Sequence, residues 1–252
     1  MKLIKVTSLT SLLVAAGSLL VAVNAPATVV DLINNNSGTI NGAIFEFTDH
    51  VSATGLVMPI LRVQADGTEQ GYNTSNVAPP FDDKAGPWTR NVTFANLITT
   101  EVTISGVNYF QLLLGVNQDH KSPDISLDQL QFYTSATGSL NTTNLSLLGT
   151  IRYSFSTGDA VYLDGSRSTG NGTGDMFAFI PVSAFAGTSL TDFVYLYCHF
   201  GDTFASNGGF EEWSLVVNPI PEATTLFPIV GLLAAVFSTQ FVRRRQLRQL
   251  SK

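Results

Sequence analysis

Carboxylates are the plentiful reactive groups of this chain. Between Thr28 and Pro221 there are 18 Asp and Glu against 6 Lys and Arg, a formal balance of about −12. Asp119, Asp124 and Asp128 fall within ten residues, and Asp175 follows the glycine-rich stretch Gly170 to Gly174. Calcium takes oxygen ligands from carboxylates and carbonyls, often in loops. These four aspartates are therefore candidate ligands for a structural Ca2+, although none fits an EF-hand loop. Glycoside hydrolysis needs two carboxyl groups facing each other across a sugar bond. Glu211 and Glu212 are adjacent and point apart on a regular strand; Glu211 with Asp175 or Asp128 is a pairing that the sequence leaves open. Tyr72, Phe81 and Trp88 sit in or beside a long expected loop, where rings could stack on a glycan.

Other chemistries lack their signatures. His50, His120 and His199 show none of the short spacing of a catalytic zinc site. Cys198 and His199 are neighbours on an expected strand, so they face opposite ways and cannot act as nucleophile and base. There is no Gly-x-Ser-x-Gly elbow and no phosphate-binding Gly-Lys-Ser/Thr loop. The expectation is a domain that is not an enzyme, with secreted glycan-active catalysis the remotest reading. An acidic field also disfavours nucleic acid as a partner.

The elements that must position these residues read as strands. Aliphatic, aromatic and Cys residues make up 44 %, charged residues 13 %, so the chain can fold. Short runs rich in Val, Ile, Phe, Tyr and Thr are broken by Gly, Asn, Asp and Pro. Expected strands are Gly42 to Thr48, Val57 to Val63, Val102 to Ile104, Tyr109 to Val116 and Leu127 to Tyr133. Gly149 to Phe155, Ala160 to Leu163, Met176 to Ile180, Phe193 to Phe200 and Trp213 to Val217 follow. The pattern predicts an all-β, two-sheet β-sandwich, with a jelly roll as its specific form. Phe45, Phe47, Leu112, Leu114, Phe132, Phe177 and Phe179 are expected inside. Asp66 to Gly86 and Ser166 to Gly174 read as loops. With Cys198 alone, no internal disulfide can form.

Both ends read as targeting segments. Lys2 and Lys5 precede the uncharged apolar stretch Leu9 to Val23, and small residues follow, so residues 1–27 read as a signal peptide cleaved after Ala27. At the other end, Pro221-Glu222-Ala223 is followed by an apolar run from Leu226 to Val242 and by Arg243-Arg244-Arg245. Seventeen residues is the lower limit for a transmembrane helix. The arginines should stay cytoplasmic, leaving the preceding domain outside. Residues 28–218 then form the ectodomain, and 219–252 a sorting signal.

This tail resembles that of PEP-CTERM proteins, which end in Pro-Glu-Pro, a transmembrane stretch and an Arg-rich cluster. Ala223 stands where the family has its second proline. The resemblance implies an exosortase substrate of Gram-negative, exopolysaccharide-making bacteria. Its partners would be signal peptidase, exosortase and exopolysaccharide. The precursor would sit transiently in the inner membrane before passing to the outer envelope or extracellular matrix. The central region resembles a group of such proteins of unestablished activity. It does so through Glu69 to Thr74, Trp88-Thr89-Arg90, Tyr109 to Gln118, Ser126 to Tyr133, Gly174 to Pro181 and Gly208 to Trp213. In that group an aspartate usually occupies the place of Gly115. The function expected is that of a non-catalytic envelope or matrix protein, with a glycan-binding module as the alternative.

Overall fold

The computed structural model describes residues 27–49, 57–155, 158–168 and 174–217. In chain order its first strands are β1 (Val29–Asp31), β2 (Ser37–Ile40), β3 (Ala43–Phe47) and β4 (Val57–Val63). Then come β5 (Asp66–Gly67), β6 (Glu69–Tyr72), β7 (Val92–Thr93), helix α1 (Phe94–Ile98), β8 (Glu101–Ile104) and β9 (Val107–Val116). The rest are β10 (Asp124–Ser135), β11 (Thr150–Phe155), β12 (Ala160–Asp164), β13 (Met176–Pro181), β14 (Phe193–Phe200), β15 (Ser206–Asn207) and β16 (Glu211–Val216).

These strands build two large sheets, as in a β-sandwich. The first runs β1-β12-β10-β14-β6, with β11 beside β10 and β7 beside β14. The second runs β2-β3-β13-β9-β16-β4, with β8 beside β9, while β5 and β15 form a small ribbon. β1 lies parallel to β12; the central pairings β10–β14, β13–β9 and β16–β9 are antiparallel.

Alternation explains which residues fill the space between the sheets. From β14, Val194, Leu196, Cys198 and Phe200 enter the main core. Tyr195 and Tyr197, one residue out of phase, join Tyr72, Tyr133 and Leu148 in a second cluster. The opposite sheet supplies Phe45, Leu112, Leu114 and Trp213 to the main core. Phe110 and Phe132 pack edge-on against Phe185 at 5.3 and 5.9 Å between ring centres. Helix α1 is five residues long and held by a reciprocal cap, Thr93 with Asn96, which sends Phe94 and Leu97 inward.

All ten expected strands are present, Val57–Val63 and Phe193–Phe200 with unchanged bounds. Three expectations need correction. Asp66 to Gly86 is not one loop, because β6 pairs with β14 inside it. Phe177 and Phe179 do not join the main core, although Phe179 is buried. Met176, Ala178 and Ile180 do instead, and the two phenylalanines pack on each other at 5.8 Å. Every residue from Met176 to Ile180 is apolar, so alternation alone could not choose a face; pairing of Ala178 with Leu112 chooses it. Phe47 is only half-buried and lies under the Arg167 guanidinium at 3.9 Å. No helix among the described residues is long and apolar enough to cross a membrane. The expected signal peptide, Pro221-Glu222-Ala223, the tail helix, Arg243 to Arg245 and His50 lie outside the described residues.

Candidate functional site

One end of the sandwich interior is acidic. On β6, Glu69 and Gly71 lie opposite Phe200 and Cys198, which face the core. On β16, Glu211 lies opposite Val63 and Val116, in phase with the core residues Trp213 and Leu215. Glu69 and Glu211 are 1 % and 0 % exposed. A chain of hydrogen bonds links them. The Ala65 N–H donates to Glu69 Oε2 at 2.7 Å, and Ser206 Oγ donates to the Ala65 carbonyl at 3.0 Å. Gln118 Nε2 then donates to Glu211 Oε1 at 2.5 Å and reaches Ser206 Oγ at 3.4 Å. Glu69 Oε1 and Glu211 Oε2 meet no donor.

Asp83 completes this region. It bridges to Val63 on the edge of β4 and is buried, with neither carboxylate oxygen meeting a donor in bonding geometry. Gly71 makes room for it, since a Cβ there would lie 2.9 Å from Asp83 Oδ1 and 2.7 Å from Val63 Cγ1. Loss of water raises Glu69 to about 7, and the nearby Asp82 adds to the effect. Burial likewise pushes Asp83 up to about 7. The Cys198 thiol is raised by burial first and by Glu69 second. Near neutral pH such carboxyl groups bind protons, and being out of solvent they are poorly placed to meet a polymer.

A second cluster forms on the far face of the first sheet. β10 and β14 pair as Leu127 with Phe200 and resume as Gln129 with His199, so Asp128 is the extra residue of a bulge. Leu127 and Leu130 both still reach the core. Asp128 is thereby turned towards His199 and Asp202, whose potential ligand atoms lie with its own within 4.8 Å of one another. Ser126 Oγ and the Asp202 N–H each donate to Asp128 Oδ2 at 2.8 Å. Burial raises the Asp128 carboxyl.

The four calcium candidates occupy different settings. Asp119 is exposed and caps its own loop through the Lys121 N–H at 3.2 Å. Asp124 pairs with Asp164 across β10 and β12, and is raised by burial first and then by Asp164. Asp175 is buried, accepts from the Val116 N–H at 2.6 Å and from Ser168 Oγ, and is pushed up to about 6 by burial. Among the described residues, the His, Cys, Asp and Glu group close enough to hold an ion contains Asp128 alone of the four.

The glycan candidates also separate. Tyr72, expected to offer an exposed ring, is fully buried; its hydroxyl bonds to the Leu140 carbonyl and accepts from the Thr142 N–H. Phe81 is half-buried and packs edge-on to Tyr72 at 6.0 Å. Trp88 is 38 % exposed. Arg62 covers its ring at 4.3 Å, lies 4.2 Å from the Phe210 ring, and donates to Glu212 Oε2 from Nε at 2.9 Å. Arg62 and Asp202 are site residues outside the sequence-based candidates, and Phe210 figures there only within the stretch Gly208 to Trp213. Arg62 carried no signal. Asp202 did, lying three residues beyond His199.

Comparison with protein-family models, curated proteins and solved structures finds no match to this chain.

Proposed function

We propose that this chain is an exported, exosortase-sorted envelope or extracellular-matrix protein that acts without catalysis, through its acidic β-sandwich. The observation that carries the proposal is the three-part order at its C-terminus: Pro221-Glu222-Ala223, the apolar run Leu226 to Val242, and Arg243 to Arg245. That run would be a transmembrane helix holding the precursor in the inner membrane until exosortase cuts near Pro221. A scaffold role fits the burial of Glu69, Asp83 and Glu211. The chain passes from β9 to β10 and from β12 through β13 to β14 by changing sheets each time, which supports the jelly-roll form.

Mass spectrometry of the mature protein from fractionated native cells tests this reading. The expected product begins after Ala27 and ends near Pro221 or Glu222. Recovery of protein ending at Lys252 as the dominant envelope species would overturn it. A glycan-binding role is the second reading, favoured by the partly exposed Trp88 ring. Retention on exopolysaccharide that is lost in Trp88→Ala would establish that role; equal retention by both proteins would dismiss it.

A further inference from the structure

We infer that Asp128, His199 and Asp202 form a binding site for a divalent cation of the zinc class, open to solvent on the outer face of the first sheet. The inference does not depend on export or sorting. His199 Nδ1 lies 3.6 Å from Asp202 Oδ2, which is too long for a hydrogen bond. The same nitrogen is buried and has no hydrogen-bond partner. An unpaired buried ring nitrogen carries a desolvation cost, and an ion between the two groups would remove it. Two ligands on one tetrahedral zinc, each about 2.0–2.1 Å from the metal, sit about 3.4 Å apart. The His199–Asp202 edge, at 3.6 Å, is close to that spacing, and Asp128 offers a ligand atom within 4.8 Å of both.

The backbone builds this triangle. The bulge places Asp128 on the same side as His199, and Ser126 Oγ and the Asp202 N–H hold its Oδ2. Ser126 Oγ is itself fixed by the Thr203 and Phe204 N–H groups, at 3.0 and 3.1 Å. Such outer hydrogen bonds orient metal ligands and tune their affinity. Charge points the same way. Gln70 and Gln129 flank His199 across the neighbouring strands, and neither offers a charge. Among the described residues the basic group that acts on Asp128 is His199 itself. A dication would balance the two carboxylates. One imidazole with two carboxylates suits zinc, cobalt or manganese, whereas calcium prefers oxygen alone. Asp202 is 54 % exposed at its side chain, which leaves the remaining position to water.

The test uses the full chain, stripped with chelator and titrated with zinc chloride in a calorimeter, with cobalt chloride followed by visible absorption. The expected result is one zinc per chain and cobalt bands characteristic of a four-coordinate nitrogen–oxygen site. Asp202→Asn should weaken zinc about tenfold or more, and His199→Gln similarly. Asp202 is exposed, so its variant should fold, and circular dichroism will check this. Zinc binding unchanged in both variants would place the metal on other histidines and overturn the inference. Absence of zinc binding would do the same, as would calcium binding as tight as zinc at this site.

Discussion

The buried carboxyl groups predict an unusual pH dependence of stability. Glu69 and Asp83 hold protons up to about 7 in the folded chain, against ordinary values of 4.5 and 3.8. For a carboxyl raised on folding, the native state keeps a proton that the unfolded chain has lost. Stability is then fully present below the unfolded value, falls as pH rises towards about 7, and is flat beyond. At about 1.4 kcal/mol per pH unit, the loss is about 3 kcal/mol for Glu69 and about 4 kcal/mol for Asp83. Asp82 raises both groups further and Lys84 opposes it, in each case less than burial does. Asp175 and Asp128, also raised by burial, act in the same direction. Asp31 is lowered, chiefly by the Asn34 side chain, and opposes them only in stronger acid.

Denaturant unfolding of the chelator-treated full chain should therefore show a higher midpoint at pH 5 than at pH 8. Glu69→Gln keeps the side-chain shape and an oxygen for the Ala65 N–H, but it cannot ionise. It should flatten the dependence by about the Glu69 share and raise stability at pH 8. The effect should also survive added salt, because screening acts weakly on buried groups. Stability that rises from pH 5 to pH 8 would refute the reasoning. A slope left intact by both Glu69→Gln and Asp83→Asn would refute it equally.

Other perturbations separate core from surface. Phe45→Ala or Phe132→Ala should cost about 3–5 kcal/mol in equilibrium unfolding, since both rings are buried in the core. Phe177→Ala, at a half-buried position off that core, should cost about 1–2 kcal/mol. Gly71→Ala forces a methyl against Val63 and Asp83 and should cost about 1–3 kcal/mol, read from the same curves. Under the proposed sorting, alanine at Arg243, Arg244 and Arg245 should leave unprocessed precursor in cell fractions, because the orientation of a membrane-spanning precursor would depend on those charges.

The strands legible in the sequence were those whose two faces differ. In β3 the run Ile44-Phe45-Glu46-Phe47 alternates, and in β14 the tyrosines and the core residues fall on opposite phases. β6 is not legible in the sequence because its inward positions are Glu69 and Gly71, neither of which looks like core. β13 is legible but its face is not, because a continuous apolar run has no phase. The bulge leaves a trace in the sequence. Core residues recur as Ile125 and Leu127, then shift by one to Leu130 and Phe132. That slip is what turns Asp128 towards His199, two residues that lie 71 positions apart in the sequence.

The same limit applies to charge. A formal balance of about −12 suggests a strongly repelling surface, yet Glu69, Asp83, Asp128, Asp175 and Glu211 are all buried. Burial raises Glu69 and Asp83 enough to keep them partly protonated near neutrality, so the field outside is weaker than the count implies. Salt should therefore stabilise the chain only modestly, through the exposed acids. Among the described residues, the His, Cys, Asp and Glu group close enough to hold an ion includes Asp128 but not Asp119, Asp124 or Asp175. Calcium should then raise the melting midpoint no further than sodium chloride of matched ionic strength. A ligand binding only the folded state adds RT ln(1 + [L]/Kd), about 2.7 kcal/mol at a hundredfold excess over Kd. A calcium shift of that size beyond the sodium control would overturn this expectation.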